Sequence, residues 1–160
     1  ASTTSMRELI LDDNLLTTFG ISSISFNGLS KLSILSMNQN SFTEFPPELP
    51  GSLSALYLAQ NQISFISKRS TTQLTNLTVL NLAENKLSDG SIEENTFANL
   101  HQLKELRLGH NFFSSVPNNL PRSLTERSLI ANQIMTLKSA CLKSFQVAEK
   151  NFHRSYFESI

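Results

Sequence analysis

The sequence predicts an α/β solenoid, a horseshoe with a parallel β-sheet on its concave side and irregular, polyproline-like or short helical segments on its convex side. Three observations predict it. A frame of apolar residues recurs six times along the 160 residues, and an asparagine stands at the same place in every frame. Successive frames begin at residues 6, 32, 53, 77, 103 and 124, so the steps are 26, 21, 24, 26 and 21, and the order restarts after 71 residues. Self-similarity at periods of 20–50 residues marks stacked coils that bury their apolar faces only against one another.

The frames in order are as follows. The first is Met6, Leu9, Leu11, Asn14 and Leu16; the second is Leu32, Leu35, Met37, Asn40 and Phe42. The third is Leu53, Leu56, Leu58, Asn61 and Ile63, and the fourth is Leu77, Leu80, Leu82, Asn85 and Leu87. Leu103, Leu106, Leu108, Asn111 and Phe113 make the fifth, and Leu124, Arg127, Leu129, Asn132 and Ile134 the sixth. They follow L-x-x-L-x-L-x-x-N-x-L, the signature of a leucine-rich repeat, with other apolar residues at some leucine positions and Arg127 at one. Within it, x-L-x-L-x alternates and so reads as a short strand, leucines inward and x residues outward. The asparagine falls where the chain leaves the strand. A buried amide there can satisfy backbone groups of its own turn and the adjacent one, which would be costly to bury unpaired.

Between the strands the coils differ in length. The 21-residue coils carry the prolines and are expected to cross the convex side as extended, polyproline-like segments. The longer coils have room for a helical turn, expected near Phe26 or Phe97. Arg127 takes a core leucine position, and an outward-reaching side chain at a thinly covered edge coil is expected there. After Phe145 the frame dissolves, so residues 1–145 read as an array of about six repeats. Residues 146–160 read as a degenerate C-terminal cap or tail.

Shifting the chain by 71 lays Phe45-Pro46-Pro47-Glu48-Leu49-Pro50-Gly51-Ser52-Leu53 on Val116-Pro117-Asn118-Asn119-Leu120-Pro121-Arg122-Ser123-Leu124. This long-short-long cycle, with its V-P-x-x-L-P-x-S-L phrase, resembles the small leucine-rich proteoglycans and their extracellular-matrix relatives over about residues 6 to 145. The resemblance implies a secreted, matrix-associated glycoprotein that binds collagen or growth factors on its concave face. The cysteine clusters that flank the repeats in that family have no counterpart here, where Cys141 is the only cysteine. Other leucine-rich-repeat classes remain in view: a receptor ectodomain, which would keep a steadier 24-residue period, and a self-associating structural module.

Composition adds exclusions. Thirteen basic and thirteen acidic residues leave no net field that points to nucleic acid. No apolar run is long enough to insert in a membrane as a helix. The start, Ala1-Ser2-Thr3-Thr4-Ser5, lacks a signal pattern and an initiator Met, and reads as a processed chain or a piece of a longer one. His101, His110 and His153 lack metal-ligand spacing, no nucleophile-base set or phosphate loop appears, and neither a metal nor a cofactor is expected. The pairs Asp12-Asp13 and Glu93-Glu94 read as solvated surface. Asn76-Leu77-Thr78 is an N-glycosylation sequon lying just before a strand.

The outward strand positions form the expected binding face for a protein partner. Its candidates are Ile34, Ser36 and Asn38 in the second repeat, Tyr57 in the third, and Val79 and Asn81 in the fourth. Glu105 and Arg107 of the fifth and Glu126 of the sixth complete it. Tyr57, a large ring between Ala55 and Ala59, is the expected anchor.

Overall fold

The computed structural model describes residues 5–21, 25–118 and 120–135. Six strands, β1 (Glu8–Ile10), β2 (Ile34–Ser36), β3 (Ala55–Tyr57), β4 (Val79–Asn81), β5 (Glu105–Arg107) and β6 (Glu126–Ser128), form one parallel sheet in sequence order. Their central residues, Leu9, Leu35, Leu56, Leu80, Leu106 and Arg127, lie in register. The solenoid is the one the periodicity predicts.

The frame residues of the middle coils are the core. Leu32, Leu35, Met37, Phe42, Leu53, Leu56, Leu58 and Ile63 are fully buried, as are Leu77, Leu80, Leu82 and Leu87. Burial declines toward the ends. Leu9, Leu11 and Leu16 of the first coil are only partly covered, and Phe19 is 95% exposed, although its counterparts Phe45, Ile66 and Val116 are buried. Each coil is thus sealed by its neighbours, as stacking physics requires. At the other end Arg127 is half-buried in register with Leu106.

The asparagine ladder repeats one hydrogen-bond set. The Asn85 amide donates to the carbonyls of Leu82 and Ala83 in its own turn and of Leu58 in the preceding coil, at 2.9–3.1 Å. Its Oδ1 accepts from the backbone N–H of Ile63 at 2.9 Å. Asn40, Asn61, Asn111 and Asn132 make the same set one coil apart. Asn14, exposed in the first coil, bonds only the carbonyls of Leu11 and Asp12. The residue before each ladder asparagine (Asp13, Gln39, Gln60, Glu84, His110 and Ala131) has a φ of 53–57°. None is glycine, so the left-handed turn that aims the amide inward is held by the packing of the coil rather than by residue type.

The convex side departs from expectation in two places. The one α-helix among the described residues, α1 (Lys68–Thr71), lies in the 24-residue coil, not near Phe26 or Phe97. Ser67 caps it, and Glu93 of the next coil accepts the Lys68 N–H at 2.8 Å. Around Phe97 the chain closes three-residue turns instead, Thr96 to Glu93, Ala98 to Asn95 and Leu100 to Phe97, and Asn95 at φ 60° interrupts helical geometry. The proline segment 45–50 forms neither helix nor strand, bends at Pro47 and Glu48, and has a φ of 54° at Glu48.

The 71-residue period extends to individual contacts. The Thr18 hydroxyl accepts from the N–H groups of Thr43 and Glu44; 71 residues on, the Asp89 carboxylate accepts from those of Ser114 and Ser115. Ser52 donates to the Leu32 carbonyl at 2.6 Å, and Ser123 donates to that of Leu103 at 2.7 Å. The serine of the V-P-x-x-L-P-x-S-L phrase therefore ties each short coil to the one before it. The Ser114 hydroxyl, which also donates to Asp89, holds that carboxyl below the usual carboxylate range.

Residues 136–160, with Cys141, His153 and the expected cap or tail at 146–160, lie outside the described residues.

Candidate functional site

The strands present three outward rows. Register places Glu8, Ile34, Ala55, Val79, Glu105 and Glu126 in the first, and Ile10, Ser36, Tyr57, Asn81, Arg107 and Ser128 in the second. Asp12, Asn38, Ala59, Ala83, Gly109 and Ile130, two positions further along each coil, form the third. With parallel neighbours about 4.8 Å apart, six strands give a surface about 24 Å wide.

Its candidates differ in availability. Tyr57 is half-buried between Ser36 and Asn81, with Ala55 on its own strand and Ala59 two residues further along the coil. Ile34, Val79 and Asn81 are likewise half-covered, while Arg107 and Glu126 are exposed. Arg107 forms an ion pair with Glu105 two residues away. Small third-row residues, Ala59, Ala83 and Gly109, leave the centre of the sheet low.

Ser36 is the exception. It lies on the face but is 7% exposed, because its hydroxyl donates to Asp12 Oδ1 at 2.7 Å and accepts from Asn38 Nδ2 at 2.9 Å. Asp12 also accepts from the Asn38 backbone N–H at 2.7 Å, and Asn38 Oδ1 accepts from Ala59 N–H at 2.8 Å. This chain of bonds fixes Asn38 and leaves Ser36 no free polar atom toward solvent. It also divides the pair Asp12-Asp13: Asp12 is half-buried in the network and Asp13 is exposed.

Asn76 stands away from this face. It is exposed and its amide donates to the Gly51 carbonyl at 2.9 Å, while the Thr78 hydroxyl donates to Ser54 O at 2.8 Å. Gly51 itself permits this crossing: a Cβ there would meet the Gln73 carbonyl at 2.8 Å.

Sequence reading missed a second ladder, of hydroxyls. Ser33, Ser54, Thr78 and Thr125, each the residue before a strand, donate to the carbonyls of Arg7, Ser33, Ser54 and Lys104 in the preceding coil. The signal was present as Ser or Thr one residue before four of the six strands. Among the described residues no group of three or more His, Cys, Asp or Glu side chains is arranged to hold a metal ion. Nor does a helix there have the length and apolarity to cross a membrane.

A sheet of six three-residue parallel strands, sealed by an internal asparagine ladder, defines a leucine-rich-repeat domain. The family model described as Leucine rich repeat matches residues 51–113. Podocan-like protein 1 of Homo sapiens is 35% identical over 137 residues, covering 86% of this chain and 27% of that protein. Keratocan of Mus musculus is 35% identical, covering 82% of this chain and 37% of its own length; osteomodulin of Bos taurus is 34% identical, covering 84% and 32%. A chain in the solved octameric complex of Latrophilin 3, Unc5D and FLRT2 (LRR) superposes with a TM-score of 0.78 at 27% identity, over 87% of this chain and 50% of that one. The fold is that of a leucine-rich-repeat domain, and the curated proteins it is similar to are podocan-like protein 1, keratocan and osteomodulin. The chain spans between 27% and 37% of the length of these curated relatives.

Proposed function

We propose that the chain is the protein-binding part of a secreted, matrix-associated leucine-rich-repeat protein, and that it binds through the concave sheet. The observation that carries this reading is the sheet itself, a broad surface whose backbone is fixed coil by coil. Rigid presentation lowers the ordering cost of binding. The convex side, by contrast, changes segment type from coil to coil. The similarity to podocan-like protein 1, keratocan and osteomodulin supports the matrix setting, and the same resemblance makes collagen or a growth factor the first partners to try. The array within residues 1–145 supplies the surface, and binding rather than catalysis is its role. A second reading, a piece of a receptor ectodomain, draws on the likeness to the chain in the Latrophilin 3, Unc5D and FLRT2 assembly.

Tyr57 is the anchor in this proposal, with Ile34, Asn38, Val79 and Asn81 around it and Ser36 holding Asn38 in place. Glu105, Arg107 and Glu126 set orientation. With collagen or a growth factor on a sensor surface, Tyr57→Ala is expected to weaken binding by about 2 kcal/mol, roughly 30-fold. Glu48→Ala, on the convex side 4.0 Å from Arg69, serves as the control and should change nothing measurable. Equal losses at the two positions would move the interface off the concave face.

Asn76 is proposed to carry a glycan, standing in solvent clear of the binding rows. Expression through a secretory pathway should yield a chain whose intact mass falls by one N-glycan on glycosidase treatment, with no change for Asn76→Gln. A treated mass identical to the untreated one removes the assignment.

A further inference from the structure

The chain's even charge balance conceals an uneven distribution. At the outward strand positions there are four carboxylates, Glu8, Asp12, Glu105 and Glu126, against one guanidinium, Arg107, which is paired with Glu105. The carboxylates are confined to the two ends of the sheet, on β1 and on β5 and β6. Between them the coils of β2, β3 and β4 carry no charge at these positions: Ile34, Tyr57, Ala59, Val79 and Ala83 are partly exposed beside the amides of Asn38 and Asn81, and Ala55 is buried. Lys31, Lys68, Arg69, Lys86 and Arg122 sit on other segments of the coils, Arg7 and Lys104 stand just before β1 and β5, and Arg127 is half-buried at the centre of β6 in register with Leu106.

We propose that the concave face takes a cationic protein segment, one that carries Lys or Arg at two points with a short apolar stretch between them. This rests on the concave face being the binding surface. From β1 to β5 or β6 is four or five strand spacings, about 19–24 Å. An extended segment crossing the strands covers that distance in about six or seven residues. Its basic groups then meet Glu8 and Asp12 at one end and Glu126 at the other, while its apolar residues lie over Val79 and the Tyr57 ring. Opposite charge at the two ends fixes direction and spacing, and the apolar centre supplies desolvated contact. A polyanion meets the same carboxylates with repulsion.

The test uses the whole chain and three synthetic dodecapeptides. The first has Arg at positions 3 and 10 with Ile, Val and Tyr between them. The second replaces both Arg by Glu, and the third moves the two Arg to positions 5 and 8. The first should bind at least about tenfold more tightly than the second at about 20 mM salt, with the advantage shrinking at about 150 mM. The third should lose about half or more of that advantage. Glu8→Gln with Glu126→Gln should weaken the first peptide about three- to tenfold and leave the second unweakened. Both substituted side chains are exposed, so the fold should be retained, and an unchanged circular dichroism spectrum checks it. Equal affinity for the Arg and Glu peptides, indifference to the double substitution, or no binding of the first peptide at millimolar concentration overturns the proposal. Tyr57→Ala separates the two readings. Binding that is lost in Tyr57→Ala but blind to charge keeps the concave surface and removes the cationic partner. Charge-dependent binding that ignores Tyr57→Ala places the site elsewhere and removes both.

Discussion

Asn85→Ala is expected to lower the free energy of unfolding by about 3 kcal/mol or more, a large part of the stability of a domain this size. The side chain is 5% exposed and its polar atoms serve four backbone groups. Truncation leaves the Ile63 N–H and the Leu58 carbonyl without that partner between two coils. Water cannot reach them without separating the coils, so the cost is that of burying unpaired groups rather than that of one exchanged hydrogen bond. Asn14→Ala provides the internal comparison. Its amide is exposed and bonds only its own turn, so its loss should stay within about 1 kcal/mol. Urea denaturation followed by circular dichroism reads both. Similar midpoints for the two variants would mean that the ladder does not join the coils.

Phe97→Ala is expected to cost about 3–5 kcal/mol, the range for removing a buried aromatic ring. Phe97 is 2% exposed and packs beneath the convex turns of a 26-residue coil. The three-residue turns from Glu93 to Leu100 have no helix to hold them once the ring is gone, so collapse around the void is opposed by the coils on either side. Phe97→Leu should recover about half of the loss, since it restores much of the apolar volume. A loss below about 1.5 kcal/mol for the alanine variant would show that this convex segment contributes little to the core. Thermal and chemical denaturation at one protein concentration settle it.

The fold was legible because it is written in residue types. Leucine at the frame positions and asparagine at the turn are each chosen for one chemical property, and no other common residue combines the asparagine's donors and acceptor in that volume. The left-handed residues beside the ladder were not legible. Asp13, Gln39, Gln60, Glu84, His110 and Ala131 share a conformation but no chemistry, and neither glycine nor a run of asparagine marks them. The helix at Lys68–Thr71 was hidden for a related reason. Its Ser67 cap is local, but the Lys68 N–H is met by Glu93 of the next coil, a contact 25 positions away.

The candidate site was legible as a set of outward positions, and its fine structure was not. Alternation in a strand tells which side a residue takes, not how deeply its neighbours cover it. Ser36 and Tyr57 stand side by side in the same row, yet Asp12 and Asn38 draw the serine down into a network while the tyrosine stays half in solvent. Nor does net charge speak to where charges sit: a total of zero is compatible with a sheet whose ends are acidic.

The contacts that recur at 71 residues also bear on how such a chain can lengthen or shorten over generations. Removing one coil would set unlike partners against each other, for example the 21-residue coil of Ser114 and Ser115 against the 24-residue coil, which has Phe65 where Thr18 and Asp89 stand. Removing three consecutive coils joins like to like, since Thr18 meets what Asp89 met and Ser52 stands where Ser123 stood. Nearest-neighbour interfaces are then preserved throughout. The smallest genetic change that spares every seam is therefore a gain or loss of 71 codons.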